Sequence, residues 1–144
     1  MRFYAVMLAL LLFVTSVFAQ SDDFVEELHP IDIAVNRLME ADESTHGQIQ
    51  ALAKGYELWD AELNKAYQEL MKAYGTNEQL KATLKEAQFA WINYRDASFK
   101  HFEAVCESKQ GSMYRVFLAS DRMDFVRSRT HELTAMYDSF TETN

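Results

Sequence analysis

The sequence predicts an all-α protein, an antiparallel three-helix bundle with a short N-terminal helix. Three observations carry this. The chain of 144 residues holds one Pro and four Gly, so little interrupts a helix. Apolar residues recur in alternating three- and four-residue steps along three long stretches, the spacing of one helix face packed at a shallow crossing angle. The stretches are joined by short turns, which force neighbouring helices to run antiparallel.

The first element reads as an export signal. Arg2 supplies a positive charge, Phe3 to Phe18 is almost wholly apolar, and Val17-Phe18-Ala19 precedes a cut before Gln20. The run falls short of the about 20 residues a membrane span needs, and no Cys follows it to take a lipid. Cleavage after Ala19 places the mature chain in the periplasm or outside the cell. It leaves 125 residues, with 13 basic and 22 acidic side chains and a net charge of −9. That balance speaks against nucleic acid and anionic membranes and favours a basic partner. Residues 20–28 read as an acidic flexible arm, and 29–144 as a single helical domain.

Pro30 suits the first turn of a short helix to about Glu40, with Ile31, Val35, Leu38 and Met39 turned inward. Asp42 to Thr45 is a connection, with Ser44 or Thr45 as the next N-cap. The first long helix runs from about His46 to Tyr74, with a stripe at 49, 52, 56, 59, 63, 66, 70 and 73. Gly75 ends it in a left-handed conformation. Thr76 with Gln79 offers a capping box for the second long helix, which runs to about Glu107. Its stripe is 80, 84, 87, 91, 94, 98, 101 and 105, flanked by Gln88, Arg95 and Phe102. Ser108 to Ser112 forms the next turn. The third long helix spans about Met113 to Phe140 on 116, 119, 123, 126, 130, 133, 137 and 140. Cys106, the one cysteine, reads as a small buried hydrophobe, with a cross-chain disulfide as the other option. Met39, Met71, Met113, Met123 and Met136 lie at or near core spacing.

A helical hairpin hinged at residues 76–77 levels positions whose numbers sum to roughly 153. Asp60 then faces Arg95 as an ion pair packed by Trp59, Trp91 and Tyr94. The second turn brings Asp124 near Arg95 as well. Asp96 and Lys100 form an exposed helix pair. The cluster Trp59, Asp60, Glu62, Asn64, Gln88, Trp91, Tyr94 and Arg95 is therefore a register-setting element, and the same groups are candidates to line a binding groove.

The segments Trp59-Asp60-x-Glu62-Leu63-Asn64-x-x-Tyr67 and Gln88-x-x-Trp91-Ile92-x-Tyr94-Arg95-Asp96 resemble the LprI-type lysozyme inhibitor family of exported bacterial proteins. Gly111-Ser112-Met113 and Arg129-Thr130-x-Glu132-Leu133 fit the family's closing helix, so the resemblance covers about residues 44–137. It implies a small helical periplasmic or surface protein, with lysozyme inhibition as the family's named activity. Many members carry Cys where Phe99 and Asp121 stand here, so an aromatic contact and a charge take the place of that cross-link.

Catalytic patterns are thin. His131-Glu132-Leu133-Thr134-Ala135 puts Ala where a zinc helix needs its second His. His101-x-Glu103 lacks the Cys pair of a deaminase, and neither a phosphate loop nor a nucleophile elbow occurs. No enzyme, cofactor or metal is expected. Three function classes remain. An acidic inhibitor that occludes a basic partner such as lysozyme leads, inserting the acidic arm, the Asp42–Thr45 connection or the Ser108–Ser112 turn. The second is a periplasmic envelope or stress module binding another protein or a small ligand. The third is an enzyme. Oligomeric state is open.

Overall fold

The computed structural model describes residues 28–109 and 111–142. The expected signal 1–19 and the arm up to residue 27 lie outside them. Among the described residues the fold is all-helical, with a short helix α1 (Pro30–Ala41) and three long ones, α2 (Thr45–Ala73), α3 (Glu78–Glu107) and α4 (Met113–Glu142).

Local chemistry sets these boundaries. Pro30 opens α1 behind His29, whose Nδ1 accepts from the Ile31 N–H at 3.2 Å. Ser44 Oγ accepts from the Gly47 N–H at 3.1 Å and starts α2. Gly75, at φ +54°, ends the turn after α2 in the left-handed region that a side chain disfavours. The cap expected at Thr76 falls to Asn77, whose Oδ1 accepts from the Leu80 N–H at 3.1 Å.

α2 and α4 form the tightly packed pair. Thr130 Oγ1 donates to the Trp59 carbonyl at 3.3 Å, and the Tyr74 and Phe140 rings meet edge-on at 5.0 Å. The residue numbers in contact therefore increase together along both helices, which run in the same direction. A Cβ on Gly55 would stand 2.4 Å from Met123 Sδ and 2.7 Å from Val35 Cγ2. Both α4 and α1 thus close onto the α2 backbone where glycine removes the obstacle. The fully buried side chains of this seam are Trp59, Leu70, Val126, Thr130 and Leu133. The stripes expected for the first and third long helices are the buried faces here.

α1 crosses back over α2, with His29 on Trp59 and Val35 on Gly55. Ile31, Val35 and Met39 turn inward as expected, but Leu38 is 45 % exposed. Met113 and Met136 are likewise exposed, whereas Met123 is buried and Met71 packs against the core.

α3 behaves differently. Only Leu84 on it is buried. Its stripe was expected at 87, 94, 101 and 105 as well, yet those positions are exposed, and the half-buried ones include Gln88, Arg95, Phe102 and Cys106. The face turned inward thus keeps 80, 84, 91 and 98 and moves on by one residue at the other four positions, a rotation of roughly 50° of helix. α3 runs opposite to α4, with Gln88 against Arg129 and Glu103 against Arg122. It meets α2 through an edge-on contact of Tyr56 and Phe99 at 6.2 Å. Cys106 is half-buried, and its Sγ lies 3.1 Å from the Tyr114 carbonyl, a weak donor contact joining the two ends of the α3–α4 turn.

Candidate functional site

The groove between α3 and α4 gathers the most chemistry. At its floor Arg129 is 8 % exposed, and its guanidinium is cradled by Gln88 Oε1 on Nε at 3.1 Å and Glu132 Oε2 at 2.8 Å. A buried guanidinium needs such acceptors, because an uncompensated one is strongly destabilising. Arg129 Cζ also lies 5.9 Å from the Trp91 ring centroid, and Arg95 Cζ lies 5.4 Å from the same ring. Both cations therefore lie over the indole, whose plane is tilted 36° to that of Phe125 at 6.0 Å.

Above this floor Tyr94 is 64 % exposed and leans on Phe125 at 5.3 Å. Asp121, Asp124 and Glu132 stand around the opening, and the groove encloses about 420 Å³. Asp124 is held by Arg127 at 2.7 Å, and Arg127 reaches Asp32 at 3.3 Å, tying the groove's far wall to α1. The site thus offers an aromatic shelf with carboxylates at its mouth. Among the described residues no group of three His, Cys, Asp or Glu is placed to hold a metal ion.

The eight residues singled out in the sequence divide into three places. Gln88, Trp91, Tyr94 and Arg95 meet at this groove. Trp59 does not join them. It is fully buried under α1, with Nε1 donating to Asp32 Oδ1 at 3.1 Å and its ring between His29 and His131 at 4.4 and 5.1 Å. Asp60, Glu62 and Asn64 remain on the α2 surface. Asn64 Nδ2 donates to the Asp60 carbonyl at 2.8 Å, and Glu62 pairs with Lys65 at 2.8 Å. That hydrogen bond and charge raise the Lys65 pKa above its usual value.

The expected Asp60–Arg95 pair is not formed. Arg95 turns onto its neighbour Asp96 at 2.8 Å, which also removes Asp96 from the pairing expected with Lys100. The level was right, since Tyr56 and Phe99 touch and share the same number sum as Asp60 and Arg95. The direction around the helix was not, because α3 turns its Arg95 face toward α4. Asp124, expected near Arg95, lines the same groove but pairs with Arg127.

The groove residues absent from the sequence-derived cluster are Phe102 of α3 and all those of α4, among them Arg129 and Phe125. Arg129-x-x-Glu132 is an i, i+3 ion pair readable in the sequence. Its burial was not, because an arginine beside an apolar stripe is ordinarily a solvated flank.

The sequence profile of the family described as "Lysozyme inhibitor LprI" matches residues 37–133. An uncharacterized protein of Rhizobium meliloti (strain 1021) is 34% identical over 95 residues, covering 58% of this chain and 67% of that one. A crystal structure of an uncharacterized protein from Burkholderia thailandensis superposes with a TM-score of 0.72 at 30% identity. That alignment covers 79% of this chain and 56% of the Burkholderia chain, so this chain spans little more than half of that protein. The matched segment 37–133 contains the whole wall of the α3–α4 groove.

Proposed function

The chain belongs to the lysozyme inhibitor LprI family, and from that premise we propose that it is an exported protein that binds and occludes a basic partner, with lysozyme the first candidate. The mechanism is steric cover without chemistry. Family membership over 97 consecutive positions (37–133) is the observation that carries the reading. The net charge of −8 supports it, because an acidic protein meets a cationic enzyme faster than a neutral one does.

The groove between α3 and α4 is the contact face this reading favours. Asp124 and Glu132 are paired with Arg127 and Arg129, which leaves the Asp121 carboxylate to meet a lysine or arginine side chain. Exposed Tyr94 supplies a ring for that side chain to lie against. Tyrosine is also among the side chains that most often anchor protein interfaces. The export signal read at 1–19 would place the domain where lysozyme acts. Among the described residues no helix is long and apolar enough to cross a membrane.

The test is lysozyme turnover on cell-wall substrate with mature protein added at tens of micromolar. Turnover should fall at low salt, and inhibition should weaken as salt rises and screens the attraction. Unchanged turnover at low salt would refute the reading. A different stoichiometric partner recovered from periplasmic extract would then favour the envelope-module alternative.

A further inference from the structure

The solvent side of α3 carries an ordered pattern of its own. Ala87, Tyr94 and His101 recur every seven residues, and so do Thr83, Ala90 and Ala97, in alternating steps of four and three. That is the repeat of a helix seam that meets another helix. All six positions are exposed, Tyr94 by 64 %, so no described helix of this chain covers the seam. Three of them, 87, 94 and 101, belong to the stripe that the sequence marks as core.

Two charges flank this seam without a partner. Glu86 and Lys100 lie on its outer edge, each one residue before a seam position, and neither forms an ion pair or hydrogen bond among the described residues. Other charges of α3 are met within the chain: Lys81 by Glu78, Arg95 and Asp96 by each other, and Glu103 by Arg122. Opposite charges on the flank of a helix seam set partner choice and orientation.

We propose that α3 pairs along this seam with α3 of a second copy, antiparallel, in a reversible twofold dimer. Tyr94 of each copy then lies on Ala90 of the other, Ala87 on Ala97, and His101 on Thr83, so each large side chain meets a small one. Glu86 of each copy reaches Lys100 of the other, which gives two ion pairs about the axis. Charge selects this register. Sliding one helix by seven residues sets Glu86 against Glu107 in one direction and against Asn93 in the other. A parallel pair sets Glu86 against Trp91 and Lys100 against Val105, leaving both charges unmet. The dimer covers Tyr94, so it and a partner bound at the α3–α4 groove exclude each other. The pairing does not depend on the lysozyme reading, and its experiment contains no lysozyme.

The experiment is sedimentation equilibrium of the mature protein from micromolar to millimolar concentration, with a reductant present so that Cys106 cannot link two chains. The mass should rise from that of one chain to that of two and no further, because a twofold contact closes on itself. Glu86→Lys and Lys100→Glu each turn both ion pairs into repulsions and should weaken the dimer about tenfold, the scale of two exposed pairs. The double variant exchanges the charges and should restore wild-type association. Ala90→Gln changes an exposed helix position, so the protein still folds, and it should abolish dimerisation by filling the place of the Tyr94 ring. A monomer at every concentration would overturn the proposal, as would association beyond two chains. So would a dimer that the single reversals or Ala90→Gln leave unchanged, or a double variant as weak as the single ones.

Discussion

The two sides of α4 are built on opposite principles. Toward α2 it closes onto the backbone at Gly55, and the seam of Trp59, Leu70, Val126, Thr130 and Leu133 has no solvent exposure to speak of. Toward α3 it meets Trp91, Phe99 and Tyr94, large rings that hold the helices apart and leave open space on either side. Helix separation follows the size of the side chains at the contact, and Gly55 lets α2 and α4 approach where the α3 rings do not. The first side holds the fold together. The second presents the Tyr94 ring and the carboxylates of Asp121, Asp124 and Glu132 at an open groove, with Arg129 buried at its floor.

The comparison breaks most visibly at two aromatics. Trp59→Ala should destabilise the protein by about 3–5 kcal/mol, from the cavity it leaves and the loss of its bond to Asp32. Tyr94→Ala, removing a ring that is 64 % exposed, should cost under about 1 kcal/mol. Chemical denaturation of both variants checks the contrast, and similar losses would mean that the α3 side is as much core as the α2 side.

Gly55→Ala probes the seam with one methyl group. Overpacking against Met123 and Val35 costs about 1–3 kcal/mol, while removing a mid-helix glycine returns about 1 kcal/mol. The net expectation is a loss of about 1 kcal/mol in a thermal or urea melt, and a stabilised variant would show that the helices are not in direct contact there.

On the open side, a double-mutant cycle of Asp60→Ala and Arg95→Leu should give a coupling energy within about 0.5 kcal/mol of zero, because the two residues do not meet. Arg95→Leu alone should cost about 0.5–1 kcal/mol, through its contact with Trp91. A strong coupling would restore the flanking pair read from the sequence and contradict the rotated face of α3.

The smallest effect is at the α1–α2 connection. Asp42 accepts from the Ser44 N–H at 3.0 Å, and the Ser44 hydroxyl and N–H together hold its carboxyl below the usual value of 3.8. A folded pKa below the unfolded one contributes stability above the unfolded value, and that contribution is lost as pH falls through the folded one. NMR titration should therefore find Asp42 below 3.8 in the wild type and returned toward it in Ser44→Ala. An unshifted wild-type value would remove this link.

These contrasts also explain what the sequence disclosed. The stripes of α2 and α4 were legible because their apolar positions face the same dense seam for the helices' full length, and Ser44 and Gly75 announced two of the boundaries. The face of α3 was not legible. Tyr94 and Val105 count as apolar and yet are exposed, while Arg95 and Arg129 count as polar and yet lay their stems and planes against Trp91. Asp32 misled in a similar way. An acid in a helix's first turn is usually read as a dipole charge, but here it holds the indole of Trp59 and the guanidinium of Arg127. The α3–α4 groove was therefore half visible, through the Gln88–Arg95 segment, and its floor was hidden in α4.

The decisive measurement is a titration of ¹⁵N-labelled mature protein with unlabelled lysozyme at low salt. The account expects the strongest perturbations at Tyr94, Phe125 and Glu132 along the α3–α4 groove, fading as salt is added, with the α2–α4 seam undisturbed. Perturbations confined to the Asp42–Thr45 connection, or no perturbation at all, would contradict it.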